Sequence, residues 1–153
     1  MKGLKRCAVA GVLIMGMMST AVYAADQRQF TDQDVIKILR ADGYSSVELL
    51  EKGAIRIKVD GLTYVLFNRE DGDLQAFFGV NQTKVSYETI NAWNRDIRLS
   101  RAYLDRDQDP ILEADLLSNG GISSKNITEF FRIFILSSKK YVEHLKGDEK
   151  TAQ

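Results

Sequence analysis

An α+β fold, with helices packed on an antiparallel sheet, is what this sequence predicts, and three observations carry the prediction. Ile55, Ile57 and Val59 alternate with Arg56 and Lys58, Asp60-Gly61 follows as a two-residue turn, and Leu62 to Phe67 returns, which is the period-two pattern of a β-hairpin. Ile127, Phe130, Phe131, Phe134, Ser138, Tyr141, Val142 and Leu145 recur at helical spacing on one broad face of a long final segment. Between these, strands come in runs separated by single helices, not in the strict alternation that builds a parallel sheet.

Taken in order, Thr31 supplies an N-cap hydroxyl with Asp34 three residues on, a capping box with Asp in place of Glu, so a helix is expected over 32–41 with Val35, Ile38 and Leu39 inward and Gly43 as its stop. Val47 to Leu50 reads as a strand, the hairpin 55–67 follows, and after the polar turn 68–73 a fourth strand runs from Leu74 to Val80, completing a meander. Ser86 caps a second helix that carries Tyr87, Ile90, Trp93 and Ile97 at helical spacing. Arg98 to Leu104 and Ile111 to Leu117 form a second hairpin across an acidic turn, Asn119-Gly120-Gly121 breaks the chain, and the last helix spans about 125–145 with Gly147 ending it. The expected order is α-β-β-β-β-α-β-β-α.

The first 24 residues have the design of an export signal. Lys2, Lys5 and Arg6 precede an uncharged apolar run from Cys7 to Met18, and Val22-Tyr23-Ala24 places small residues where a signal peptidase reads, so cleavage is expected between Ala24 and Ala25. The apolar run is about 12 residues, short of the roughly 20 that a membrane-spanning helix needs, which predicts removal and no lasting membrane anchor. A lipidated cysteine would close such a run, whereas Cys7 opens it. With Cys7 gone the mature chain has no cysteine and must be held by packing alone. Residues 25–30 are expected to be a disordered lead, 31–146 one α+β domain, and 147–153 a disordered tail.

Loss of three basic residues with the leader leaves 18 basic against 21 acidic, a net charge of −3. No basic cluster points to nucleic acid or to an anionic membrane surface. Asp105, Asp107 and Asp109 copy the first three ligands of a calcium loop, but Pro110 stands where an EF-hand has Gly and Leu116 where it has Glu, so a solvated hairpin turn is the reading. Asp71 and Asp73 around Gly72 read as turn formers. His144, the single histidine, has no cysteine or second histidine to build zinc or nucleophile chemistry with, and is expected to serve the C-terminus of the last helix. Trp93 is expected in the core. No cofactor or metal is called for, and a hydrolase would have to rest on a carboxylate pair drawn from Asp105, Glu113 and Asp115. Two glycosylation sequons, at Asn81 and Asn126, are too short to carry weight in a chain with a bacterial leader.

The segment LRADGYSSVELLEKGAIRIKVDGLTYVLF, the stretch DGDLQAFFG, and INAWNRDIRLSRAYLDRDQDPILEADL before a phenylalanine-rich helix together resemble the YbjN family, bacterial domains often labelled sensory transduction regulators. Trp93-Asn94-Arg95, Ser100-Arg101-Ala102-Tyr103-Leu104 and the acidic turn leading to Glu113 are the most specific parts. The resemblance spans nearly all of the mature chain. It implies a type III secretion chaperone-like fold, whose members bind other proteins and commonly form dimers, and it brings no catalytic motif. The export leader is a departure from the cytoplasmic setting of many members.

The first hairpin points to a surface. With Asp60-Gly61 at its tip, Ile55, Ile57, Val59, Leu62, Tyr64 and Leu66 share the face expected to be core. The opposite face then carries Arg56, Lys58, Thr63, Val65 and Phe67, joined by Phe77 from the next strand. Either a helix wraps behind the sheet to cover these apolar groups, or they form a patch for a protein partner or a second copy of the chain. The expected activity is that of a non-enzymatic, exported protein-binding or chaperone-like module, with Arg56, Val65, Phe67 and Phe77 as its contact residues.

Overall fold

The computed structural model describes residues 30–81 and 84–149; the leader with Cys7, the cleavage residues Ala24 and Ala25, and residues 150–153 lie outside it. Among the described residues no helix is long and apolar enough to cross a membrane. The elements are α1 (Asp32–Ala41), β1 (Ser46–Glu51), β2 (Ala54–Val59), β3 (Leu62–Asn68), β4 (Leu74–Gly79), α2 (Tyr87–Asp96), β5 (Arg101–Leu104), β6 (Pro110–Leu116) and α3 (Ser124–Glu149). The order is the expected one. All six strands join one antiparallel sheet in the order β1-β2-β3-β4-β6-β5, so the meander and the second hairpin are fused through β4 and β6.

Local chemistry explains the first half. The backbone N–H of Thr31 donates to Asp34 Oδ2 at 3.1 Å and that of Asp34 donates to Thr31 Oγ1 at 3.2 Å, closing the capping box. Asp60 and Gly61 both take positive φ, 51° and 80°, as the two-residue turn requires, and Val59 pairs with Leu62. Gly53, at φ 80°, turns β1 into β2; a Cβ there would lie 3.0 Å from the Asn68 carbonyl oxygen, so glycine is dictated by conformation and by space.

Three expectations about where elements begin and end are corrected. Phe30 is fixed, not part of a disordered lead: it packs against the core, and Asn68 Nδ2 donates to its carbonyl at 2.8 Å and to Asp32 Oδ1 at 2.8 Å. β5 begins at Arg101 and not at Arg98, because Leu99 at φ 68° breaks the extended run while Trp93 Nε1 donates to Ser100 Oγ at 3.1 Å. α3 passes through Gly147 to Glu149; one glycine in an established helix costs about 1 kcal/mol and does not stop it.

The core lies on one side of the sheet. Ile55, Ile57, Tyr64 and Leu66 face it, with Val59 and Leu62 half-buried at its edge, and α1, α2 and α3 cover it with Val35 and Leu39, with Ile90 and Trp93, and with Ile127, Phe131 and Phe134. Tyr64 is at its centre: its ring meets Phe131 and Phe134 edge-on at 5.7 and 6.2 Å, and its hydroxyl shares a 2.9 Å hydrogen bond with the buried Ser138 Oγ. Trp93 is core as expected, 5.0 Å from Tyr141. His144 does not serve the helix end: α3 continues past it, its ring lies 5.6 Å from Trp93, and Nε2 is 2.9 Å from the Thr89 carbonyl oxygen, tying α3 to α2.

Candidate binding surface on the open face of the sheet

Because side chains alternate along a strand, burial of Ile55, Ile57, Tyr64 and Leu66 under the helices turns Arg56, Val65, Phe67 and Phe77 to the other side. None of these four belongs to the helix-covered core, and no described helix packs over them. Of the two readings that the alternation leaves open, the described structure has the uncovered face. Val65 stands opposite Phe77 and Phe67 opposite Gln75, and the Phe67 and Phe77 rings meet edge-on at 6.2 Å. The Arg69 guanidinium lies 4.6 Å above the Phe67 ring and also donates to Gln75 Oε1. All three apolar residues are half-buried by one another and by these neighbours.

One cross-strand row runs the width of the sheet. Glu48 pairs with Arg56, Arg56 with Val65, Val65 with Phe77, Phe77 with Glu113, and Glu113 with Arg101. At one end Arg56 binds Glu48 at 2.9 Å, while its Nε is buried without a hydrogen-bond partner among the described residues. At the other end the buried Glu113 carboxylate accepts from Arg101 Nη2 at 2.5 Å and from the Tyr103 hydroxyl at 2.6 Å. That hydrogen bond and ion pair hold the Arg101 guanidinium above its ordinary value. Burial, and then the hydrogen bond to Glu113, push the Tyr103 phenol up to about 12.

A pH dependence follows from Tyr103. Its folded pKa is raised, so the neutral phenol is what the fold favours; that stabilisation is complete below the unfolded value near 10 and is lost as pH climbs from about 10 through about 12. Wild type is expected to lose more stability than Tyr103→Phe across that window in chemical-denaturation curves. Parallel curves would show that neither burial of Tyr103 nor its bond to Glu113 favours the neutral phenol in the fold.

The remaining chemical candidates resolve differently. Asp105 Oδ1 accepts the backbone N–H of Asp107 and of Asp109, both at 2.9 Å, so this carboxylate folds its own turn, and Pro110 already belongs to β6. Millimolar calcium is therefore expected to leave Tm unchanged; a site filled at 100 times its dissociation constant would add about 2.7 kcal/mol, a shift of several degrees in a scanning melt. Asp73 Oδ1 likewise accepts from the Ser118 backbone at 2.6 Å and hydroxyl at 2.9 Å, pinning the β3–β4 turn to the end of β6. Asp105 is engaged in its turn and Glu113 is bound to Arg101 and Tyr103, so two of the three carboxylates considered for hydrolysis hold structure together. Asp115 stands one step along from Glu113 on the open face, opposite Gln75.

Sequence reasoning missed two features. Glu113, Tyr103 and Arg101 become neighbours of Phe77 only because β6 pairs with β4. A groove of about 580 Å³ lies between β6 and α3 and adjoins that end of the open face, since Arg101 and Glu113 line it together with Leu99, Leu117, Phe130 and Ile133, of which Leu99 and Leu117 are largely exposed. The adjacent apolar pair Leu116-Leu117 at the end of β6, both of which line the groove, was its one sequence signal.

The family model described as "Putative bacterial sensory transduction regulator" (YbjN) matches residues 31–147. No curated protein matches the sequence. Among solved structures, the chain is similar to the Yersinia pestis type III secretion chaperone SycH, solved in complex with a stable fragment of YscM2, with TM-score 0.53 and 16% identity over 71% of this chain and 95% of that one. At that identity the likeness is one of fold: three helices against an antiparallel sheet.

Proposed function

The chain belongs to the YbjN family, and from that premise we propose that it is a non-enzymatic, exported protein-binding module, regulatory or chaperone-like, whose contact surface is the open sheet face. One observation carries the reading: Val65, Phe67 and Phe77 form an apolar centre, rimmed by Arg56, Lys58, Gln75 and Glu113, on a face that no described helix covers. An apolar centre with a polar rim is the usual anatomy of a protein interface. The fold neighbour, a chaperone solved with a protein fragment, supports the same class.

The test is a pull-down with wild type and Phe77→Glu as baits. A protein retained by wild type and lost by the variant, with equal melting curves for both, supports the reading; identical retention by both would move the binding surface elsewhere. Export is proposed on the basic n-region, the apolar run and the Val22-Tyr23-Ala24 site. Intact mass of the protein recovered from the cell is expected to begin at Ala25. A mass that includes Met1, or a lipid on Cys7, would reject it.

A further inference from the structure

Read from one edge to the other, the central row of the open face is Glu48, Arg56, Val65, Phe77, Glu113, Arg101. Read backwards it is Arg, Glu, Phe, Val, Arg, Glu, so every acid is matched by a base and every apolar residue by an apolar one. We infer that this face binds a second copy of the same chain, across a two-fold axis that runs parallel to the strands between β3 and β4. The inference rests on the binding surface proposed above and names its occupant.

The geometry follows from the strand order. Two sheets stack face to face about 10 Å apart with strands nearly aligned. A two-fold axis along the strands keeps each residue at its height and exchanges β3 with β4, β2 with β6 and β1 with β5, because the order β1-β2-β3-β4-β6-β5 has its midpoint between β3 and β4. Val65 then meets the second copy's Phe77, Arg56 meets its Glu113, and Glu48 meets its Arg101. Each end becomes a quartet of alternating charges in which the ion pairs Glu48–Arg56 and Glu113–Arg101 brace each other. The Arg56 guanidinium keeps N–H donors beyond its bond to Glu48, and each Glu113 oxygen keeps acceptor capacity beyond its one intrachain bond. An unrelated partner requires only a surface complementary to this one; a row that is complementary to its own reversal is what an isologous interface requires.

The test uses sedimentation velocity on the purified protein across a micromolar concentration series. Wild type is expected to dimerise. Arg56→Glu alone sets Glu against Glu113 twice, and Glu113→Lys alone sets Lys against Arg56 twice, so each is expected to raise the dimer dissociation constant about 30-fold or more. An equimolar mixture of the two variants has one Glu–Lys and one Arg–Glu contact, both attractive, and is expected to recover dimer as a heterodimer. Where circular dichroism shows that Glu113→Lys does not fold, Val65→Lys and Phe77→Glu serve as the pair, since their mixture meets Lys with Glu and Phe with Val. A wild type that stays monomeric, single variants that dimerise as wild type does, or a mixture of folded variants that stays monomeric would each overturn the inference. A monomeric wild type that still retains a partner lost by Phe77→Glu would leave the binding function standing and remove only the second copy as its occupant.

Discussion

Replacing Phe67 with glutamate is expected to leave the domain folded and to weaken its association by about 2 kcal/mol or more, roughly 30-fold in dissociation constant. Phe67 is half-buried on a face free of described helices, against the Phe77 ring and under the Arg69 guanidinium, so a carboxylate there keeps access to water and gains Arg69 as a partner. In a bound complex the same carboxylate would be buried inside an apolar centre, where an unpaired charge is costly. Circular dichroism melting beside size-exclusion chromatography separates the two effects. A collapse of the melt would mean that Phe67 is core after all, and an unchanged elution at all concentrations, with no partner affected, would take Phe67 out of the interface.

The largest effect on folding is expected from Trp93→Ala. Trp93 is 1% exposed, stacks edge-on against Tyr141 at 5.0 Å, lies 5.6 Å from His144 and donates from Nε1 to Ser100 Oγ at 3.1 Å. Truncating a buried Trp costs about 3–5 kcal/mol, a large share of the roughly 5–15 kcal/mol that holds a domain of this size. A fall in Tm of about 10 °C or more is the expected result. The damage should be greatest in α2 and β5, because Asn94, next in the chain, holds the outer edge of β5 by accepting from the Ala102 N–H at 2.8 Å and donating to its carbonyl at 2.9 Å. Hydrogen exchange of β5 amides would report this; a Tm loss below about 3 °C would mean that α2 docks without its tryptophan.

What the sequence determined by itself was local. Thr31 and Asp34 sit three residues apart, so the cap of α1 was legible; Asp60-Gly61 favours positive φ twice, so the turn between β2 and β3 and the pairing of Ile57 with Tyr64 followed from it. Strand alternation assigned Arg56, Val65, Phe67 and Phe77 to a common face, and that assignment needs only the period of the backbone. The local signals failed where a distant contact outweighed them. Gly147 reads as a helix stop and Leu99 as part of a strand, but α3 runs on and Leu99 takes a left-handed turn.

Only the tertiary structure decided which side of the sheet the helices take and which strand follows β4. Alternation gives two faces without saying which is covered; Phe131, Phe134 and Ser138 on α3 settle it by closing on Tyr64 from some 70 residues away in sequence. Nothing near Phe77 in the chain indicates that Glu113 and Arg101 will stand beside it, because that depends on β6, not β5, pairing with β4. Turns and caps are settled within a few residues by backbone sterics and short-range hydrogen bonds, which composition and spacing report directly. Cross-strand neighbours on the open face are settled by whichever long-range pairing buries the most apolar surface on the opposite one, and that is a property of the whole fold.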